Sequence, residues 1–172
     1  MGHQIIPYIT EAEIKERVRT LGRQIAEDYS GTDVLLIAIL NGSTIFLADL
    51  IRATDLNLTV DFMAVSPFEE GGGVRILKDL SVDIAEKNVL IVEDLLDTGN
   101  TLTTVVDILR SRGVNSLKIC SLLDKSAHRT TNVPVEYVGF VIPDRYVVGY
   151  GMDYEEQYRN LPYIGFIEYT ED

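Results

Sequence analysis

The apolar positions change period several times along the chain, and each change marks an element. Thr10 followed by Glu13 has the form of a capping box, after which Ile14, Val18, Leu21 and Ile25 fall on one helical stripe. Ser30-Gly31 ends that helix. Residues 34–40 (VLLIAIL) are apolar without interruption, the pattern of a strand buried on both faces. Asn41-Gly42-Ser43 then turns the chain into a second short helix to about Ala53, and residues 57–64 alternate like a strand. A second buried strand is predicted at 89–92. Leu102, Val105, Val106 and Leu109 follow at helical spacing up to Gly113, and residues 116–123 form the next strand. Strand, helix, strand is a βαβ unit, which implies a parallel sheet. Shorter strands are predicted at 137–142, 146–150 and 164–169. No repeat, low-complexity tract or linker divides the sequence. The expectation is one α/β domain over residues 1–172, with an open, mostly parallel sheet flanked by helices.

Composition narrows the class. With 172 residues the chain is long enough to bury about 70% of its extended surface. Apolar residues at 46% and charged ones at 24% place it among globular rather than disordered chains. The formal charge of -12 opposes binding to nucleic acid or anionic lipid. A longest apolar run of seven residues is far short of the roughly 18 that a membrane helix needs. One cysteine, Cys120, forms no internal disulfide, and no secretory signal opens the chain, so a cytoplasmic protein is expected. Residues 65–74 contain Glu69-Glu70-Gly71-Gly72-Gly73. Three glycines carry a large ordering entropy, so this segment reads as a mobile loop or as a plain hairpin connection.

The chemistry concentrates after the second buried strand, in Glu93-Asp94-Leu95-Leu96-Asp97-Thr98-Gly99-Asn100-Thr101. Ligands of open parallel sheets sit beyond the carboxyl ends of the strands. Here that end carries two acids, a small polar loop and a helix start whose amides and hydroxyls suit a phosphate. Acids beside a phosphate repel it unless a divalent cation intervenes or the carboxylates accept hydrogen bonds from a sugar diol. Both solutions point to a phosphorylated sugar with its metal. The bland alternative is a solvated strand end.

A hydrophobic run, two acids and D-T-G-x-T resemble the phosphoribosyl-diphosphate motif of the type I phosphoribosyltransferases. From about Tyr8 to Glu168 the chain resembles the hypoxanthine (hypoxanthine-guanine) branch of that family. The supporting stretches are residues 76–80 (ILKDL), 122–125 (LLDK), 137–144 (YVGFVIPD), 147–154 (VVGYGMDY) and 158–163 (YRNLPY). The resemblance implies the type I fold, with a small hood at about 140–172 and a mobile lid loop at about 65–75. It implies that Glu93 and Asp94 hold the ribose hydroxyls, partly through Mg²⁺, and that Thr98, Gly99, Asn100 and Thr101 cradle the 5′-phosphate. Asp97 would be the general base near purine N7, or the acid in reverse. Lys125 would donate to the 6-oxo group, Tyr146 would stack on the base and Val147 would offer backbone groups to its edge. Asp153 would ligate a second Mg²⁺, Arg159 would meet the diphosphate, and Leu40, Asn41 and Gly42 would form the loop receiving it. The implied partners are phosphoribosyl diphosphate, a 6-oxopurine, IMP or GMP and diphosphate, in a homodimer or homotetramer.

Two positions depart from the family pattern. Asn41 stands where lysine is usual, which removes a charge from the diphosphate site. The lid is short, and its Ser-Tyr pair reads Ser66-Pro67-Phe68. Slower transfer or weaker diphosphate binding is therefore expected. Three rivals remain beside purine salvage. One is a non-catalytic nucleotide sensor and another a xanthine-preferring transferase. The third, an aspartic protease, needs two D-T-G loops in an all-β fold, and one is present. Taken singly, Lys125 reads as a surface lysine, Tyr146 as a core aromatic and Arg159 as a surface ion-pair partner. His3 and His128 are too few and too scattered for zinc and receive no role.

Overall fold

The computed structural model describes residues 2–67 and 73–170. The central sheet is β4-β3-β2-β5-β6-β7, formed by β2 (Val34–Leu40), β3 (Leu58–Pro67), β4 (Val74–Lys78), β5 (Asn88–Leu96), β6 (Ser116–Asp124) and β7 (Tyr137–Val141). All its neighbours are parallel except β3 and β4, which pair antiparallel. The apolar runs of β2 and β5 exist because both faces are covered. Leu36, Ala38, Leu90 and Val92 face one core with α1 (Glu11–Asp28) and α2 (Thr44–Arg52). Leu35, Ile37, Val89 and Ile91 face the other, against α3 (Asn100–Ser111). The side chains alternate between the faces with the period of two that a strand imposes.

The predicted caps hold. Thr10 accepts from Glu13 N, and the Glu13 carboxylate accepts from Thr10 N at 2.8 Å, completing the capping box of α1. Ile14, Val18, Leu21 and Ile25 are buried, as are Leu102, Val105, Val106 and Leu109 of α3. Gly113 takes the left-handed conformation just past α3 (φ 78°), which closes the helix.

A second sheet of order β1-β9-β8 consists of β1 (Gly2–Ile9), β8 (Val147–Val148) and β9 (Ile164–Thr170), paired antiparallel. It draws on both ends of the chain. The pattern of residues 2–9, with Pro7 and alternating exposure, gave no strand signal, and only pairing with β9 makes it one. The strand predicted at 146–150 shortens to two residues because Gly149 and Gly151 adopt positive φ. β5 runs past the acid pair to Leu96, so Glu93 and Asp94 lie within the strand rather than at its last residues. The middle of the lid expected at 65–75 falls at 68–72, outside the described residues; the flanks at 65–67 and 74–75 are hairpin strands of β3 and β4.

Candidate functional site

Parallel strands direct their carboxyl ends to one side, and three segments meet there. A side chain on Gly42, in the turn after β2, would overlap the Asp94 carboxylate of β5. One on Gly151 would overlap the Gly42 carbonyl. Glycine at both positions permits this approach of the 40–42 turn, β5 and the 149–153 segment. The Leu40–Asn41 peptide bond is cis, and the exposed Asn41 receives Thr44 N and Oγ1 on its carbonyl oxygen (3.2 and 2.7 Å).

Asp94 sits at the centre of this meeting, with Glu93 next to it in the strand. Glu93 Oε2 is buried with no hydrogen-bond partner among the described residues. Burial, reinforced by the neighbouring Asp94 charge, pushes the Glu93 carboxyl well above its ordinary range. Burial also pushes Asp94 up, to about 6, although backbone amides of Asp94 and Leu95 and the Arg159 charge oppose the rise. Two adjacent buried carboxylates that are costly to ionise, one of them with an unpartnered oxygen, match a small hard cation or a pair of sugar hydroxyls. This fits the residue types that bind Mg²⁺.

The loop after β5 is braced from behind. The Thr98 carbonyl accepts from Thr130 N (3.0 Å) and Thr131 N (3.3 Å), and the Gly99 carbonyl accepts from Thr103 Oγ1 (2.9 Å). Gly99 is the N-cap of α3 at φ 87°, with no side chain to cap the helix. Asn100 N makes a long contact of 3.4 Å to Thr98 Oγ1, so the first turn of α3 is only weakly capped by the protein, and the helix dipole favours an anion there.

Asp97 and Lys125 lie together. Lys125 is buried (6% exposed), not a surface lysine, and its Nζ is 3.6 Å from Asp97 Oδ2 and 3.4 Å from Asp144 Oδ1. His128 Nδ1 lies 2.5 Å from Asp97 Oδ1. Its imidazolium is favoured by that hydrogen bond and by the charges of Asp144 and Asp97. On the small-sheet side, Tyr146 is half-exposed (51%) rather than core, and stands edge-on to Tyr154 at 5.4 Å. Val147 is buried in β8 opposite Phe166. Arg159 is already engaged, by Asp153 Oδ1, Glu156 Oε2 and the Gly151 carbonyl, each at 2.9 Å. Asp153 also accepts from Glu156 N (2.9 Å), so the two residues form one network with Glu156. The structure thus forms two groups: Gly42 with Asp94, Asp153 and Arg159, and Asp97 with Lys125. No described contact joins Tyr146 to Lys125.

The phosphoribosyl transferase domain family matches residues 9–155. The chain belongs to that family. A hypoxanthine phosphoribosyltransferase of Escherichia coli K12 is 53% identical over 171 residues, 96% of each chain. A hypoxanthine-guanine phosphoribosyltransferase of Staphylococcus aureus Mu50 is 48% identical over 164 residues, 93% of this chain and 92% of that one. Among solved structures, a hypoxanthine-guanine phosphoribosyltransferase of Bacillus anthracis, with a HEPES molecule in its active site, superposes at TM-score 0.94. It is 43% identical, with 98% of this chain and 100% of that one covered. A hypoxanthine phosphoribosyltransferase of Staphylococcus aureus superposes at 0.92 with 47% identity, covering 94% and 90%.

In this phosphoribosyl transferase, sequence reading missed His128 and Asp144, which flank Asp97 and Lys125. His128 lies outside the quoted stretches, and Asp144 closes the 137–144 stretch without a role of its own. The one available signal was proximity in sequence, since His128 follows the Lys125 motif by three residues. A cleft of about 470 Å³ between α1, α2 and the 150–162 segment is lined by none of the candidate residues, so chemistry rather than concavity marks the site.

Proposed function

We propose that the protein transfers the 5-phosphoribosyl group from phosphoribosyl diphosphate to hypoxanthine and/or guanine, yielding IMP or GMP and diphosphate, in Mg²⁺-dependent purine salvage. The carrying observation is the buried acid pair of β5, with Glu93 Oε2 unpartnered among the described residues, leading into a helix start without a side-chain N-cap, with a buried lysine beside the next aspartate. In this reaction the anomeric carbon breaks its bond to the diphosphate oxygen and bonds to a purine nitrogen, and the purine loses a proton. Glu93 and Asp94 would hold the ribose hydroxyls and one Mg²⁺, and Asp153 would hold a second. When bound, the metal neutralises charge that develops on the departing diphosphate. The amides of 98–101 fix the 5′-phosphate, and the 40–42 turn with Arg159 receives the diphosphate. Asp97 takes the purine proton. Lys125 donates to a 6-oxo group and leaves adenine, whose 6-amino group also donates, without a partner. Tyr146 stacks on the base and Val147 offers backbone groups to its edge.

The full-length similarity to named transferases favours this reading over a non-catalytic sensor. We place the protein in the cytoplasm as a homodimer or homotetramer acting on small molecules. Among the described residues, no helix is long and apolar enough to cross a membrane. The test is an assay of hypoxanthine, guanine, xanthine and adenine with phosphoribosyl diphosphate and Mg²⁺, with nucleotides resolved by chromatography. Hypoxanthine or guanine should be consumed and adenine spared. Consumption of xanthine alone moves the reading to a xanthine transferase, and no nucleotide with any base moves it to a sensor.

A further inference from the structure

We infer that His128 is a positioning residue for Asp97: it holds one carboxylate oxygen by its Nδ1–H, opposite the lysine on the other, and its charge makes proton uptake by Asp97 depend on pH. This rests on the proposed role of Asp97 as the proton-transfer group.

The geometry comes from a short 3-10 turn over Ser126–His128, directly after Lys125. His128 N donates to the Lys125 carbonyl at 2.9 Å, which closes the turn. One oxygen of Asp97 then faces His128 Nδ1 at 2.5 Å and the other faces Lys125 Nζ at 3.6 Å. An ionised carboxylate only accepts, so Nδ1 carries the hydrogen. Asp144 lies behind both, 3.7 Å from His128 Nδ1 and 3.4 Å from Lys125 Nζ. With the imidazole 46% exposed, the group is open to exchange with water. Asp97, His128 and Asp144 also have the donor spacing of a metal site. Lys125 already supplies the cation there, within 3.6 Å of both carboxylates, which disfavours a metal.

The groups facing the imidazole are Asp97 from the loop after β5, Asp144 from the segment after β7, and Lys125 from its own turn. The hydrogen bond to Asp97 is the largest influence and raises the histidine above its usual 6.5; the charges of Asp144 and Asp97 raise it further, and burial and Lys125 oppose. Below that raised value His128 is a cation. Its positive charge then faces Asp97 Oδ1 at the contact distance and opposes the arrival of the purine proton there. Above it the neutral ring still donates its Nδ1–H, so orientation persists while the opposing charge is gone. Nucleotide synthesis should therefore quicken as pH rises through the His128 titration.

The experiment measures kcat/KM for hypoxanthine from pH 6 to 9, at saturating phosphoribosyl diphosphate and Mg²⁺, for wild type, His128→Asn and His128→Ala. Histidine NMR titrations accompany it, assigned by loss of signal because the chain holds two histidines. The expected result is an ascending inflection above pH 6.5 in wild type that both variants lose. Asparagine keeps a neutral donor near the Nδ1 position, so at high pH it should stay within about threefold of wild type, while alanine falls by about tenfold. The His128 resonance should titrate above 6.5 and move down in Asp97→Asn. An identical inflection in all three proteins, or titration of wild-type His128 at or below 6.5, overturns the inference. Full activity in Asp97→Asn would instead overturn the reading on which it rests. A slowed Asp97→Asn beside unchanged His128 profiles would sink the histidine role alone.

Discussion

Asp94→Asn should make the ligand-free protein more stable, even though it removes a residue assigned to the substrate. The Asp94 carboxyl is raised from 3.8 to about 6, chiefly by burial, with Asp153 adding to the rise and Arg159 opposing it. The folded state therefore binds this proton more tightly than the unfolded chain. Its contribution is fully present below about pH 4 and is lost as pH rises through 6. At 1.36 kcal/mol per pKa unit, the ionised carboxylate costs the fold up to about 3 kcal/mol at pH 8. Asparagine keeps the shape and an accepting oxygen for the amides of Asp94 and Leu95 without the charge. Urea unfolding at pH 8 without Mg²⁺ should show a gain approaching that size, shrinking towards zero at pH 4. Added Mg²⁺ should stabilise wild type more than the variant, since a bound cation relieves the same cost. A variant equal to or less stable than wild type at pH 8 would refute the claim that the acid pair is held at a cost until ligands arrive.

Gly99→Ala places a side chain onto Thr131 Oγ1 at a backbone with φ 87°, so it should lower unfolding stability by about 1–3 kcal/mol and weaken phosphoribosyl diphosphate binding. An unchanged urea midpoint would show that the loop relaxes freely. Asn41→Lys adds a cation at the exposed turn after β2, and calorimetry should record tighter binding of diphosphate, by about three- to tenfold. No gain in affinity would sink the argument that the missing charge matters.

The parts legible in the sequence were those fixed by local patterns. The runs 34–40 and 89–92 identify strands covered on both faces, and the spacing of Leu102, Val105, Val106 and Leu109 identifies α3. β1 was not legible, because it becomes a strand only through a distant partner, Ile164–Thr170; at β4 the sequence left a loop and a hairpin open, and pairing with the preceding strand Leu58–Pro67 decides for the hairpin. The acid pair and the D-T-G-x-T loop were found because backbone and side chain act within nine residues. His128 and Asp144 were missed because their relation to Asp97 arises across three separate segments of the sheet end. Arg159 lies beside Asp153, and its hold on Asp153 and Glu156 could not be read from spacing alone.

The central claim is that this sheet end exchanges diphosphate for a 6-oxopurine on a phosphorylated ribose. Its most direct test is the stoichiometry of one closed reaction of hypoxanthine, phosphoribosyl diphosphate and Mg²⁺. The account predicts one IMP and one diphosphate for each hypoxanthine consumed, with Asp97→Asn much slower. Diphosphate release without IMP, or no release at all in the presence of either hypoxanthine or guanine, would contradict it.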